Sequence, residues 1–203
     1  MLFRSMKRPL SFLDATIPTC TDPELGKRLA ALGYSHIIVR GGEAASKLVS
    51  PLPPGIGLAN EFRDSNVYNV ATTVPPVLTV AARGFYGYEH DAEGWWRWMG
   101  PQGQWTVRNT TAAPQRMALS VDLVPIGVPR TLMMTLDGGP GGTVALGIAR
   151  GQHVLGPWTL APGDHTLTFA VDGEPTRPSD VADSKDTRLL TVAFRNDRWV
   201  EAR

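Results

Sequence analysis

The chain has 203 residues, of which only 19% are charged, and its formal net charge is +1. Because its lysines and arginines are scattered along the sequence rather than clustered, the composition argues against binding to nucleic acid or to an anionic membrane surface. Cys20 is the only cysteine, which excludes an intramolecular disulfide and a cysteine-based metal cluster, and the apolar runs are far shorter than the roughly 20 residues of a membrane-spanning helix.

The N-terminal quarter of the sequence predicts a small α/β unit over residues 6–57. Residues 1–5 resemble the translated end of a sequencing adapter, so we expect them to be a non-native leader. The first ten residues also lack the apolar core of a secretory signal peptide. Asp22 is a good N-cap for a short amphipathic helix. Residues 34–40 then predict a strand, and residues 43–49 predict a second helical piece.

The remainder, residues 58–203, predicts an antiparallel β-sandwich of the jelly-roll type, so that the chain as a whole is mainly β. A proline-rich segment over 50–57 separates it from the α/β unit. Beyond a second proline pair, Pro75-Pro76, apolar residues recur with a period of two, which gives each strand one buried face. The alternating sets are 117–123, 132–136, 144–148, 167–171 and 190–194, with turns predicted at 137–142, 162–164 and 196–197 and a long loop over 174–188. Many short strands with Gly and Pro turns and little helix are typical of two packed sheets.

Residues 84–109 hold four of the six tryptophans and two of the four tyrosines. In a strand, Trp96 and Trp98 share one face, whereas Trp95, Arg97 and Met99 share the other. Indole faces pack on the C–H faces of sugar rings, and charged neighbours bind sugar hydroxyls. The predicted carbohydrate-binding residues are therefore Tyr86, Tyr88, Glu89, Asp91, Trp95, Trp96, Arg97 and Trp98. The structural alternative, which the composition of protein interiors favours, is that these rings fill the core or cover its edge.

The acidic run Glu89-His90-Asp91-Ala92-Glu93 admits three interpretations. Two of its carboxyl groups could act as acid and base in glycoside hydrolysis. The oxygens of Glu89, Asp91 and Glu93 could instead hold a calcium ion. A solvated loop is the favoured interpretation, because charge runs usually lie on the surface. The four histidines show no zinc-binding spacing, so we predict no metal and no cofactor.

Four sequence segments are similar to those of a known group of proteins; they are residues 63–70, 96–100, 105–110 and 160–169. They resemble the C-terminal soluble region of bacterial multi-spanning membrane glycosyltransferase-like proteins, which are similar to the dolichyl-phosphate-mannose–protein mannosyltransferase group. The resemblance covers most of the chain and implies that the catalytic acidic residue lies in a membrane region that this chain does not contain. The phrase around 162–169 is also similar to jelly-roll carbohydrate-binding modules.

This resemblance implies a non-catalytic accessory domain that contacts a glycan or an acceptor. It also implies a location on the extracytoplasmic face of the bacterial membrane, with the upstream membrane domain as a partner and with this chain soluble by itself. Three alternatives remain open: a free-standing carbohydrate-binding module, a glycoside-active enzyme that uses residues 89–93, and a structural domain without a ligand.

Overall fold

The computed structural model describes residues 25–40, 52, 55–63, 65–70 and 73–202. The predicted leader, the Asp22 cap and the predicted helix over 43–49 lie outside these residues. The chain forms two compact units, Met1–Pro75 and Pro76–Arg203. Within the described part, no helix is both long and apolar enough to cross a membrane.

Among its described residues, the first unit contains one helix and one three-stranded antiparallel sheet. Helix α1 (Leu25–Ala31) ends before Gly33, whose φ of 79° suits a helix C-terminus. Strands β1 (His36–Arg40), β2 (Ile56–Phe62) and β3 (Ser65–Val70) pair in the order β1-β3-β2. A small core contains Leu25, Leu29, Ile37, Ile56, Tyr68 and Val70. Because β3 pairs with both β1 and β2, this sheet extends beyond residue 57, which was the predicted end of the α/β unit.

The second unit is an antiparallel β-sandwich, so the predicted mainly β fold is confirmed. Its strands are β4 (Val77–Phe85), β5 (Glu89–Asp91), β6 (Gly94–Asn109), β7 (Gln115–Pro125), β8 (Arg130–Leu136), β9 (Gly139–Leu146), β10 (Gly151–Leu160), β11 (Gly163–Val171) and β12 (Val192–Glu201), and the short helix α2 (Pro178–Val181) precedes the last strand. Strand β6 is 16 residues long and takes part in both sheets. Its first half joins the order β10-β7-β12-β6-β5, and its second half joins the order β4-β6-β11-β8-β9.

The core lies between these two sheets and is centred on three aromatic rings. Trp105, Phe169 and Phe194 are fully buried, and the centroid of the Phe169 ring lies 5.0 Å from each of the other two. The predicted alternation over 117–123 is reproduced in β7, where Leu119 and Leu123 are both inaccessible to solvent. Burial of one such large apolar side chain stabilises the fold by about 1.5–3 kcal/mol, so the sandwich holds a substantial core.

The structure differs from the predicted strand ends at two places. Ile148, predicted on a buried face, is 65% exposed because β9 ends at Leu146. The turn predicted at 196–197 lies within β12, where the pairing with β7 shifts register and Asn196 has a φ of 54°. An extra residue of this kind is a β-bulge, which lets the strand continue instead of reversing. The sequence analysis also did not predict β10, whose outward Val154 is 67% exposed.

His165 links two turns at one end of the sandwich. Its Nδ1 donates to Asp137 Oδ2 at 2.7 Å, and its Nε2 donates to the Ala161 carbonyl at 2.8 Å. Because both partners accept hydrogen bonds, both bonds form together only when the ring is an imidazolium, with a hydrogen on each nitrogen. Burial disfavours that charge, but the bonds with Asp137 and Ala161 outweigh it and raise the pKa of His165 above its ordinary value of 6.5.

We expect this link to make stability depend on pH. A group whose pKa is raised by folding contributes stability below its unfolded pKa and loses that contribution as the pH rises through its folded pKa. The free energy of unfolding should therefore fall on going from pH 6.5 to alkaline pH, and His165→Gln should remove this part of the dependence. Urea unfolding of both proteins from pH 5.5 to pH 9 measures the difference. Equal pH dependence in the two proteins would contradict the prediction.

Candidate functional site

The predicted acidic run forms a hairpin between β5 and the start of β6. Asp91 Oδ1 accepts a hydrogen bond from the backbone N–H of Glu93 at 2.7 Å, which closes the turn. Gly94 follows with a φ of 132°, a conformation that residues with a side chain rarely adopt. A Cβ atom at Gly94 would also lie only 2.2 Å from Asn196 Oδ1. The hairpin is thus positioned against the bulge of β12 by a glycine.

Replacing Gly94 by alanine should displace this hairpin. Forcing an L residue into a sparsely populated backbone region costs about 1–3 kcal/mol, and the free energy of unfolding should fall by an amount in that range. Gly87→Ala is a matched control, because a Cβ atom there meets nothing within 4 Å. Tryptophan fluorescence during urea unfolding measures both variants, and an equal effect of the two substitutions would show that position 94 tolerates a side chain.

The four predicted residues at the start of β6 are divided between the two faces of the strand. Arg97 and Met99 are buried and point into the sandwich, whereas Trp96 and Trp98 lie half-buried on the outward face. Trp95, at the edge, packs against His90 with ring centroids 4.8 Å apart. Of the indoles on β6, Trp105 belongs to the buried core. Core filling, one half of the structural interpretation, therefore does not describe Trp96 or Trp98.

Arg97 lies among aromatic rings instead of facing solvent. Its side chain belongs to a residue only 3% exposed, and its Cζ lies 4.7 Å, 4.9 Å and 4.7 Å from the ring centroids of Phe85, Tyr88 and Trp105. Within the described part of the chain, its Nε and Nη2 have no hydrogen-bond partner. This placement differs from the predicted role of Arg97, because an enclosed guanidinium cannot donate to the hydroxyls of a sugar on the surface.

Outward side chains of the first sheet form a row across five strands. Residues directly opposite one another in antiparallel strands share a face, and the register here places one member on each strand: Glu89, Trp96, Arg195, Asp122 and Gln152. Arg195 Cζ lies 4.8 Å from the centroid of the Trp96 ring, so the guanidinium covers one face of that indole. Trp98, two residues along β6, lies on the same face and has no such cation above it among the described residues.

Three arginines connect this row to the acidic hairpin. Arg195 Nη2 pairs with Asp91, and Arg150 bridges Asp122 Oδ2 at 2.5 Å and Glu93 Oε2 at 2.7 Å. The hydrogen bond from Arg195 holds the pKa of Asp91 below its ordinary value. Ion-paired carboxylates keep acceptor lone pairs that a sugar hydroxyl can use.

Arg188 makes the third connection, at the Tyr86 side of the hairpin. Its Nη2 lies 2.7 Å from Asp186 Oδ2 and 3.0 Å from Glu89 Oε1, and its Cζ lies 5.0 Å from the centroid of the Tyr86 ring. Tyr86 in turn donates its hydroxyl to the Leu189 carbonyl at 3.3 Å. The hydrogen bonds that Arg188 donates to Asp186 and Glu89 raise its pKa and outweigh the opposing effect of burial, so Arg188 stays charged. We call the surface formed by Tyr86, Glu89, Asp91, Glu93, Trp96, Trp98, Asp122, Arg150, Asp186, Arg188 and Arg195 the tryptophan surface.

The sequence analysis did not identify Asp122, Arg150, Arg188 or Arg195 as members of this site. These residues lie on segments far from the hairpin in the sequence, and no local motif marks them. The strand register brings Arg195 and Asp122 into the row of Trp96. Arg150 and Arg188 lie outside the strands and reach the hairpin through their ion pairs with Glu93 and Glu89. Tyr88, which was predicted, contributes its ring to the enclosure of Arg97 and is half-buried.

The contacts of the acidic run, Glu89 to Glu93, can be compared with what catalysis and metal binding require. A general acid needs a carboxyl group whose pKa is raised, whereas the pKa of Asp91 is lowered by Arg195. Among the described residues, no group of three or more His, Cys, Asp or Glu side chains is placed to hold a metal ion. The shortest ion pairs of Glu89, Asp91 and Glu93 are with three different arginines, Arg188, Arg195 and Arg150.

No protein-family model matches this sequence, and a comparison with curated proteins finds no match. Among similar solved structures is a family two carbohydrate esterase from Clostridium thermocellum in complex with cellohexaose, with 14% identity and a TM-score of 0.34. That similarity covers 61% of this chain and 34% of the esterase chain, so this chain matches about a third of the esterase's length.

Other similar structures are carbohydrate-binding modules. CBM6cm-2 from Cellvibrio mixtus lichenase 5A, in complex with cellotriose, has 10% identity and a TM-score of 0.36, over 62% of this chain and 92% of the module. CBM36 in complex with calcium and xylotriose has 14% identity and a TM-score of 0.34, over 61% of this chain and 92% of that module. At identities and TM-scores this low, the similarities assign neither a family nor a ligand to this chain.

Proposed function

We propose that the tryptophan surface binds carbohydrate and that the chain is a non-catalytic binding domain. The observation that carries this proposal is the pair of half-buried indoles, Trp96 and Trp98, on one outward face beside arginine–carboxylate pairs. An indole offers an apolar face to the C–H face of a sugar, while the surrounding charged groups donate and accept hydrogen bonds at its hydroxyls. Trp98 is the principal stacking ring, because Arg195 already covers one face of Trp96.

The resemblance found in the sequence suggests the larger protein in which such a domain would act. In that setting the domain is the extracytoplasmic C-terminal part of a membrane glycosyltransferase-like protein, and its tryptophan surface contacts the glycan or the acceptor while the upstream membrane domain does the chemistry. A free-standing carbohydrate-binding module would use the same surface in the same way. The glycosidase alternative would need a general acid other than Asp91, because the pKa of Asp91 is lowered.

The test is a glycan-binding screen followed by calorimetry on the native chain and on Trp98→Ala. We expect Trp98→Ala to weaken binding about tenfold or more, which corresponds to about 1.4 kcal/mol. Phe62→Ala is the matched control, since Phe62 is an aromatic residue of the first unit that is 57% exposed and lies outside the tryptophan surface. Absence of glycan binding by the native chain, or equal loss in both variants, would overturn the proposal.

A further inference from the structure

We infer that the tryptophan surface selects neutral glycans over glycans that carry a carboxylate. This inference rests on the proposed function and specifies its ligand class. Proteins commonly recognise carboxylates through a guanidinium that offers two parallel N–H donors. Whether a surface can bind an acidic sugar therefore depends on whether one of its arginines is available.

On this surface each arginine is already paired with carboxylates of the protein itself. Arg150 lies between Asp122 and Glu93, and its 2.5 Å and 2.7 Å contacts occupy both Nη atoms. Arg188 lies between Asp186 and Glu89. A uronic acid that approached either guanidinium would compete with carboxylates that the fold already holds in place.

Arg195 is engaged in the same way and is also less accessible. Its Nη2 pairs with Asp91 and lies 3.7 Å from Glu93 Oε2, its ring partner is Trp96, and its side chain is 11% exposed. Arg97, the remaining arginine of the hairpin region, is enclosed by three rings and does not reach the surface. Neither guanidinium is therefore available to the carboxylate of an approaching sugar.

The net charge of the tryptophan surface also disfavours acidic glycans. Five carboxylates face three guanidiniums, which leaves two negative charges in excess; the carboxylates are those of Glu89, Asp91, Glu93, Asp122 and Asp186. Like charges brought together across an interface repel, and this repulsion is a common means of excluding the wrong partner. Neutral sugar hydroxyls meet no such repulsion and can donate to the lone pairs that the ion pairs leave free.

The experiment compares matched oligosaccharides by calorimetry at low and at moderate salt. The probes are neutral trisaccharides of glucose, xylose, mannose and galactose, each paired with a counterpart in which one ring is replaced by a uronic acid. We expect at least one neutral probe to bind about tenfold more tightly than its acidic counterpart at low salt, with a smaller ratio at moderate salt because ions screen surface charges.

A variant tests the cause of this selectivity. Asp91→Asn retains an acceptor for the Glu93 N–H but removes the charge that pairs with Arg195. It should raise the affinity for the acidic probe and so reduce the ratio of neutral to acidic affinity. Asp197→Asn, outside the tryptophan surface, should leave that ratio unchanged. Equal or tighter binding of acidic probes by the native chain would overturn the inference while leaving the proposed function standing. Failure of every probe to bind, neutral or acidic, would remove the proposed function and the inference with it.

Discussion

Replacing Trp105 by alanine is expected to lower the free energy of unfolding of the sandwich by about 3–5 kcal/mol. The indole is inaccessible to solvent, and its ring centroid lies 5.0 Å from Phe169 and 5.6 Å from Phe194. Its removal leaves a cavity that two rigid rings cannot fill by collapse, so the loss includes both the transfer energy and the cavity. It also removes one of the three rings around Arg97.

Trp98→Ala is the matched control for this prediction. It removes the same side chain from the same strand, but from the outward face, where the residue is half-buried. We expect it to cost far less, because solvent fills the space that the ring leaves. All six tryptophans lie between residues 95 and 199, so their fluorescence during urea unfolding reports on the second unit. Equal losses in the two variants would contradict the division of β6 into inward and outward faces.

The strands of the sandwich could be predicted because their alternation encodes one buried face directly. The sets over 117–123, 132–136 and 167–171 coincide with β7, β8 and β11, and the inward residues of these sets, such as Leu132 and Leu167, are fully buried. Where the pattern is weaker the prediction was incomplete. Strand β10 contains Gly156-Pro157 in its middle and an exposed Val154, so its sequence shows no continuous alternation.

The sequence predicted which segment carries the candidate site, but it did not predict most of the charged residues around it. The alternation of side chains along a strand predicted Trp96 and Trp98 on one face and Arg97 with Met99 on the other, and β6 shows this arrangement. Which face was buried depended on Phe194 and Trp105, residues outside the local pattern. The arginines that pair with the acidic run come from the β9–β10 connection, the segment before β12 and β12 itself, so only the tertiary structure could reveal them.

A second large effect on the free energy of unfolding is expected at Arg97. Substitution by lysine, which keeps the charge, should destabilise the fold more than substitution by methionine. Burial of an unpaired cation costs several kcal/mol, and here the counterbalance is a set of three aromatic faces, each contributing about 1–2 kcal/mol. These opposing terms nearly cancel for a flat guanidinium that can stack on Phe85, Tyr88 and Trp105. A lysine would keep the burial cost, since its ammonium is more strongly hydrated, and would lose most of the stacking.

We therefore expect Arg97→Lys to lower the free energy of unfolding by about 3 kcal/mol and Arg97→Met, which removes the charge but keeps most of the volume, to change it by less than about 1.5 kcal/mol. Urea unfolding followed by tryptophan fluorescence gives both values. If Arg97→Lys were the more stable of the two, the positive charge itself would be required, and an anionic partner for Arg97 would have to exist. If Arg97→Met were instead the more stable, the position would need the volume and apolar contacts of the side chain within these rings and not its positive charge.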